Sequence, residues 1–445
     1  MIMKESGGTA LIVGLGKTGV SVARHLVARG WQVAVTDTRV DPPGRAELVG
    51  IAPDARCGFG GFDAALLAGI DLVVASPGVA PTEPLLQTAR ARGVEIVGDI
   101  ELFAREVQAP VIGITGTNGK STVTTLVGRM AARAGITVAV GGNLGAPALD
   151  LLATGKPALF VLELSSFQLD TTFSLHLRAA TVLNVTEDHL DRYGTMQAYA
   201  ASKARIFERC EHAVLNLDDP LVAGMSPHGA AVSGFSIESA AGARYHLTTV
   251  AGAKWLAIDA VPIMAVSEMR LGGLHNAANA LAALALGDAV GLSREAMLSE
   301  LREFAGLPHR SQWVGEHAGV RYINDSKGTN VGATLAAVSG YDGGLIVIAG
   351  GDGKGQDFAP LAAAFAHRVR HTFLIGRDAA RIASILQNVC PTEIVSDLDE
   401  AVQRAAQVAS PGDTVLMSPA CASLDMFRDY AQRGDLFAAA VGRLT

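Results

Sequence analysis

A lysine followed by two hydroxyls, Lys120-Ser121-Thr122, closes a run that begins Gly116-Thr117-Asn118-Gly119. The apolar stretch Pro110–Gly113 precedes it and a helical-looking segment follows. A strand feeding such a loop into a helix aims several backbone N–H groups and the positive helix end at one point, where phosphate oxygens are favoured. Lys120 adds a point charge, and Ser121 offers an oxygen to Mg²⁺. ATP is therefore the expected cofactor. The spacing departs from G-x-x-x-x-G-K-[ST], because the first glycine position falls on Ile114. A ligand-free glycine turn is the plain alternative.

Other candidate groups follow apolar runs further on. Glu163 ends one as Leu162-Glu-Leu-Ser-Ser-Phe-Gln168, and His189 follows another as Asn184-Val-Thr-Glu-Asp-His189. Mg²⁺ on a nucleotide takes one or two protein oxygens, which Glu163 with Ser121 or Thr122 can supply. From residue type alone His189 reads as a hydrogen-bonded loop residue. Lys203, on an amphipathic stretch Met196–Glu208, reads as part of a solvated helix face. Near the start, Gly14-x-Gly16-x-x-Gly19 with Asp37 favours NAD when taken alone, since the acid lies where a ribose partner belongs. Against NAD stand the cation of Thr38-Arg39 beside that acid and the separate phosphate loop.

These residues need elements to hold them. At 445 residues the chain is too long for one ordinary core, and about three domains are expected. Apolar residues make up 49%, and the 50 glycines fall at the ends of apolar runs, as strand-to-helix turns require. The fold class is α/β. A Rossmann-like N-terminal domain (1–98) precedes a central P-loop-type ATPase domain (99–307) with a mostly parallel sheet, then a Rossmann-like C-terminal domain (308–445). Strands are expected at Thr9–Leu15, Trp31–Thr36, Asp71–Ala75, Ala158–Leu162, Ala179–Asn184, Val320–Asn324, Leu345–Ala349, Thr372–Ile375 and Thr414–Met417. A further apolar helix runs from Asn276 to about Val290.

No apolar run reaches membrane-span length, and Leu11–Leu15 continues into Gly16-Lys-Thr-Gly19 rather than a cleavage site. A soluble cytoplasmic protein is expected. The cysteines Cys57, Cys210, Cys390 and Cys421 lack C-x-x-C spacing and are expected as free buried thiols. A net charge of −7 argues against nucleic-acid and membrane partners. Anionic substrates must then meet local positive groups.

Thr-Gly-Thr-Asn-Gly-Lys-Ser-Thr (115–122) resembles the loop of the Mur ligases and folylpolyglutamate synthetases, which join an amino acid to a carboxylate using ATP. The likeness to the Mur ligases extends over nearly the whole chain. It is carried by Gly-Leu-Gly-Lys-Thr-Gly (14–19), Asp-Thr-Arg (37–39), Ser-Pro-Gly (76–78), Gly-Gly-Asn-Leu-Gly (141–145), Glu-Leu-Ser-Ser-Phe-Gln (163–168) and Asn-Val-Thr-Glu-Asp-His-Leu-Asp (184–191). His-Asn-Ala-Ala-Asn-Ala (275–280), Leu-Pro-His-Arg (307–310), Asn-Asp-Ser-Lys-Gly-Thr-Asn (324–330), Gly-Gly-Asp-Gly-Lys (350–354) and Ser-Pro-Ala-Cys-Ala-Ser-Leu-Asp-Met-Phe (418–427) continue it. The last two, with this N-terminus, are similar to the D-glutamate-adding members.

The resemblance implies a ligase that joins D-glutamate to UDP-N-acetylmuramoyl-L-alanine through an acyl phosphate, acting as a monomer. It implies two Mg²⁺ sites, one at Glu163 and Ser121, the other at His189 and a carbamylated Lys203. Lys120, His189 and Lys203 would be catalytic. Gly116 to Thr122, Asn276, Arg310 and Asp325 would contact ATP. Lys17, Thr18, Asp37, Thr38, Arg39, Ser76 and Gly78 would line the uridine diphosphate site, with Asn143, Ser165 and His189 nearer the sugar and alanine. Lys327, Thr329, Lys354 and Ser423 would hold D-glutamate, with Tyr430 standing where the family has Phe. Closure of the three lobes about seams near Gly98 and Gly306 is expected. Three other readings stay open: a different Mur or folylpolyglutamate-type ligase, an NAD-dependent dehydrogenase, and a P-loop NTPase motor.

Overall fold

The computed structural model describes residues 7–271, 273–341 and 344–444. Three sheets follow one another along the chain. The first has five parallel strands in the spatial order Arg56–Phe59, Gln32–Asp37, Thr9–Val13, Leu72–Ala75, Glu95–Val97. Leu11, Ile12, Val35 and Val73 are fully shielded, as a parallel sheet covered on both faces requires. A Cβ on Gly19, in the helix Lys17–Val27, would lie 2.1 Å from the Gly14 carbonyl oxygen. The glycine pattern therefore serves close helix–strand packing.

The central sheet has nine strands. Val111–Thr115 runs between Leu159–Glu163 and Ala179–Val182, all three parallel, third from one edge of the sheet. The chain thus departs from this strand toward opposite sides of the sheet, the position where α/β sheets open a crevice for ligands. Two helices, Lys120–Arg133 and Leu274–Ala289, bury their apolar residues in the core on one side of it. The second carries an almost unbroken shielded run, Ala280 to Gly287, so it is core all round rather than amphipathic. Antiparallel hairpins of Tyr245–Val250, Ala253–Ile258 and Val261–Ala265 extend one edge. These half-exposed strands escape a reading based on long apolar runs.

The C-terminal sheet is ordered Gln312–His317, Val320–Asn324, Thr414–Met417, Leu345–Gly350, Val369–Ile375, Thr392–Ile394, with the first strand antiparallel. Its two faces carry their own apolar clusters. The N-terminal and central lobes instead share one, running from Ile12 and Val33 through Ile100 and Phe103 to Phe160 and Leu162. Arg24–Asp150 at 2.7 Å adds a polar tie between them. Opening at Gly98 would expose this shared core.

Two other expectations change. The helix from Met196 ends at Ala204 and passes into a tighter turn, Arg205–Phe207, and Lys203 on it is only 1% exposed rather than solvated. Cys57 is exposed while the other three cysteines are buried, because Arg56–Phe59 is an edge strand with a half-open face. No described helix is long and apolar enough to cross a membrane.

Candidate active site

Gly116 and Gly119 adopt φ 147° and 82°, conformations that glycine enters without strain. Gly119 caps the helix Lys120–Arg133, whose first turn has no acidic residue and no side-chain cap. Its positive end is thus left for an anion. Lys120 Nζ folds back onto the loop, donating to the Gly116 and Thr117 carbonyls at 2.9 Å each. Lys203 Nζ donates to the same Gly116 oxygen, also at 2.9 Å, and lies 4.4 Å from the Tyr199 ring centroid. Burial holds Lys120 below the usual lysine range. Burial, then the neighbouring Lys120 charge, holds Lys203 well below it.

Beside them, Glu163 is 3% exposed and sits at the carboxyl end of its strand. Ser121 Oγ donates to one of its oxygens at 2.5 Å and Asn143 Nδ2 to the other at 2.6 Å. Arg310 donates to Ser121 Oγ at 2.6 Å. A carboxylate and a hydroxyl side by side are hard oxygen donors suited to Mg²⁺. His189, at φ 55°, caps the one-turn helix Leu190–Tyr193. Its ring meets Phe167 edge-on at 4.8 Å between centroids, and burial lowers its pKa. Among the described residues no three His, Cys, Asp or Glu side chains cluster as a ready metal cage. A cation held here must share its shell with hydroxyl, phosphate or modified lysine oxygens.

Two cavities meet at this point. One, of about 440 Å³, is lined by Thr117 to Ser121, Asn143, Glu163, Ser165, His189 and Lys203, by Pro77 and Gly78 of the N-terminal lobe, and by Lys327, Thr329, Asn330 and Lys354 of the C-terminal lobe. The other, of about 270 Å³, is lined by Thr122, Leu183, Phe235, Leu271, Asn276 and Asp325. Asn118, Gly119, Arg310 and Lys327 line both and form the neck. Buried Asp325 accepts from Ser418 Oγ at 2.7 Å and from the Ser311 N–H at 3.1 Å, and burial pushes its carboxyl up to about 6. Asn276 is tied to His275 and Asn279.

On the C-terminal side Lys327 Nζ lies 3.9 Å from the Tyr430 ring centroid. Burial, helped by Arg310 and Lys120, brings it down to about 8. Lys354 has φ 51°, and its Nζ is 3.7 Å from Asp188 Oδ1. Ser423 lies deeper than the two lysines. It is buried next to the Asp352–Ala422 bridge and does not line either cavity. Its backbone carbonyl accepts from the Met426 and Phe427 N–H groups at 3.1 and 2.8 Å.

The N-terminal residues gather at the carboxyl ends of the first sheet. Ser76 Oγ donates to the Gly14 carbonyl at 2.9 Å. Lys17 and Thr18 open the following helix. Asp37 is 2% exposed; it accepts from the Leu15 N–H at 2.7 Å and pairs with Arg39 at 2.6 Å. The Arg39 hydrogen bond draws its pKa down to about 2. Both oxygens of this carboxylate are engaged by Arg39 and the Leu15 N–H, so it is not free to meet a ribose, which removes the ground for NAD. Thr38 beside it is exposed. The sequence reading missed Phe167, Asp188, Tyr199 and Asn330 on the larger cavity. Three of these lie inside motifs already quoted, but their facing depends on loop shape.

Comparison with known proteins gives three matches along the chain. These are the Mur ligase MurD-like N-terminal domain at residues 8–98, the Mur ligase middle domain at 114–287 and the Mur ligase glutamate ligase domain at 309–421. The chain is 52% identical over 443 residues to the UDP-N-acetylmuramoylalanine–D-glutamate ligase of Nitrosococcus oceani, covering 99% of this chain and 98% of that one. It is 50% identical over 438 residues to the enzyme of that name from Pseudomonas aeruginosa, covering 98% of each. Among solved structures it resembles UDP-N-acetylmuramate-alanine ligase of Thermotoga maritima, with TM-score 0.62, 18% identity and coverage of 98% and 99%. A pseudomurein peptide ligase of Methanothermus fervidus gives TM-score 0.62 at 19% identity, covering 98% of this chain and all of that one. At those identities the structural likeness speaks to fold.

Proposed function

The chain belongs to the Mur ligases, and we propose that its central cavity is where D-glutamate is joined to UDP-N-acetylmuramoyl-L-alanine. It is an ATP-dependent acid–amino-acid ligase of peptidoglycan precursor synthesis, working with ATP and magnesium. The observation that carries the site assignment is one cavity walled by all three lobes, with phosphate-loop, carboxylate, imidazole and ammonium groups together. On this reading residues 1–98 hold the UDP-linked substrate, 99–307 hold ATP and 308–445 hold D-glutamate. One chain supplies every group named, so a monomer suffices, and its nucleotide substrates place it in the cytoplasm.

The L-alanine carboxylate oxygen attacks the γ-phosphorus of ATP, a new O–P bond forms, and ADP leaves. Lys120, released from its loop carbonyls, meets the γ-phosphate, and Arg310 adds positive charge at the neck, so catalysis is chiefly positioning and electrostatics. Glu163 with Ser121 would hold one Mg²⁺, and His189 with Lys203 a second, to neutralise phosphate charge. Lys203 fits that role as a carbamate, whose anionic oxygens are the hard donors Mg²⁺ takes, whereas an ammonium has no lone pair and a neutral amine is a poor Mg²⁺ ligand. Its depressed pKa favours the neutral amine, whose nitrogen adds to CO₂ with loss of one proton. Lys327, Thr329 and Lys354 clamp the two carboxylates of D-glutamate. Its amine loses a proton to water, attacks the acyl phosphate carbonyl, and phosphate departs as the amide forms.

The test is phosphate release assayed with each Mur precursor crossed against L-alanine, D-glutamate, meso-diaminopimelate and L-lysine. Release is expected only with UDP-N-acetylmuramoyl-L-alanine and D-glutamate together. Equal release with another pair would overturn the assignment.

A further inference from the structure

Arg192 belongs to none of the binding groups above, yet it touches two lobes. It stands on the one-turn helix that His189 caps, and its backbone N–H bonds the His189 carbonyl at 3.0 Å. The guanidinium carbon lies 3.9 Å from the centroid of the Phe167 ring, and that ring is the one against which His189 rests. From the same side chain, NH1 donates to the Pro77 carbonyl at 2.8 Å. Pro77 sits between Ser76 and Gly78 in the N-terminal lobe, and Pro77, Gly78, Phe167 and His189 all line the larger cavity.

The rest of its bonding is weak. Asp170 is 3.8 Å away, with its oxygens already taken by Tyr193 at 2.9 Å and Ser202 at 2.6 Å. Arg192 Nε is buried without a hydrogen-bond partner among the described residues. An arginine retained for stability alone would have these donors met. Here the short polar contact of the guanidinium goes to a loop of another lobe, and its flat face to the aromatic that backs His189. Only a planar fork both stacks and donates in this way.

We propose that Arg192 is a positioning residue which couples the Ser76–Gly78 loop to the placement of His189. When the UDP-linked substrate seats against that loop, Pro77 is fixed, the guanidinium is fixed by it, and Phe167 and His189 are fixed in turn. The step that activates the alanine carboxylate then meets a preset wall. The choice of substrate rests on the function proposed above; the clamp itself does not.

The test uses the full chain with R192A and R192K. For R192A the KM for UDP-N-acetylmuramoyl-L-alanine should rise about tenfold and kcat fall about tenfold, with KM for ATP within about twofold of wild type, as loss of one hydrogen bond and one stacked cation implies. R192K should recover the KM to within about threefold while kcat stays low, because lysine reaches the Pro77 carbonyl but offers no flat face. Hydrogen exchange without ligand gives an independent readout: peptides covering 74–80 and 186–194 should both lose protection in R192A, and other central-lobe peptides should not. Equal KM changes for all three substrates, or exchange spread over the whole lobe, would show a merely structural residue. If the wild type lacks D-glutamate-dependent phosphate release, the function fails while paired exchange at 74–80 and 186–194 still decides the clamp.

Discussion

Single side chains in the larger cavity divide by what they lose on truncation. Lys203 has no room to be an ordinary lysine, being buried and next to Lys120. K203A should lose nearly all ligation, and wild-type enzyme prepared free of CO₂ should regain activity on adding bicarbonate, followed by phosphate release. Undiminished activity after CO₂ removal would refute the carbamate. Lys354 is a different case: it faces Asp188 at 3.7 Å and is free to exchange that partner for a substrate carboxylate. K354A should raise KM for D-glutamate by about ten- to a hundredfold, the loss of a charged hydrogen bond of about 1.5–3 kcal/mol, with KM for ATP little changed in steady-state assays.

At the level of elements, the site depends on short helices whose ends are capped by small polar residues. Met196–Ala204, which carries Tyr199 and Lys203, begins at Thr195, whose side chain accepts from the Ala198 N–H at 3.2 Å. T195A should cost about 1 kcal/mol of stability, the usual worth of such a cap, read from urea denaturation, and should lower ligation more than it changes ATP affinity. Ser165 plays the same part for Ser166–Leu169, in a reciprocal cap with Gln168, and so sets the Phe167 ring. Gly119 shows the opposite requirement. Its φ of 82° and the Asn279 oxygen, 2.6 Å from where a Cβ would sit, leave no room for a side chain.

For the molecule as a whole, the N-terminal and central lobes form one body and the C-terminal lobe has its own core. The seam of the first two includes Asp99, 1% exposed, which accepts from Gln168 Nε2 at 3.2 Å and leaves its second oxygen unpartnered among the described residues. Burial pushes this carboxyl from 3.8 up to about 6. The folded state therefore holds the proton more tightly than the unfolded one, so stability falls as pH rises from about 4 to about 6 and stays reduced above. D99N, which keeps the neutral form at every pH, should match wild type near pH 4 and exceed it near pH 7 by about 3 kcal/mol. Chemical denaturation across that range is the check, and a constant difference would show that folding leaves the Asp99 carboxyl unshifted. The C-terminal lobe meets this body through polar contacts such as Arg310–Ser121 and Asn118–Asn330. Movement there would cost little apolar burial, so closure is expected on the Gly306 side rather than at Gly98.

Much of this was legible in the chain alone, because strand-to-loop-to-helix order is local. The run 116–122 marks a phosphate loop through residue types adjacent in sequence, and the α/β alternation follows from apolar runs separated by glycine. What the sequence could not decide was facing and burial across long separations. Lys203 reads as a solvated helix residue until the Gly116 carbonyl, 87 positions away, is seen to accept from it. Asp37 reads as a ribose ligand until Arg39 and Leu15 are seen to consume it. Gly98 reads as a seam until one apolar cluster is found to cross it, from Ile12 and Val33 to Phe160 and Leu162. Sequence determines which groups are available and which elements carry them; tertiary packing alone decides their partners, since desolvation and hydrogen-bond reach act over a few ångströms whatever the distance along the chain.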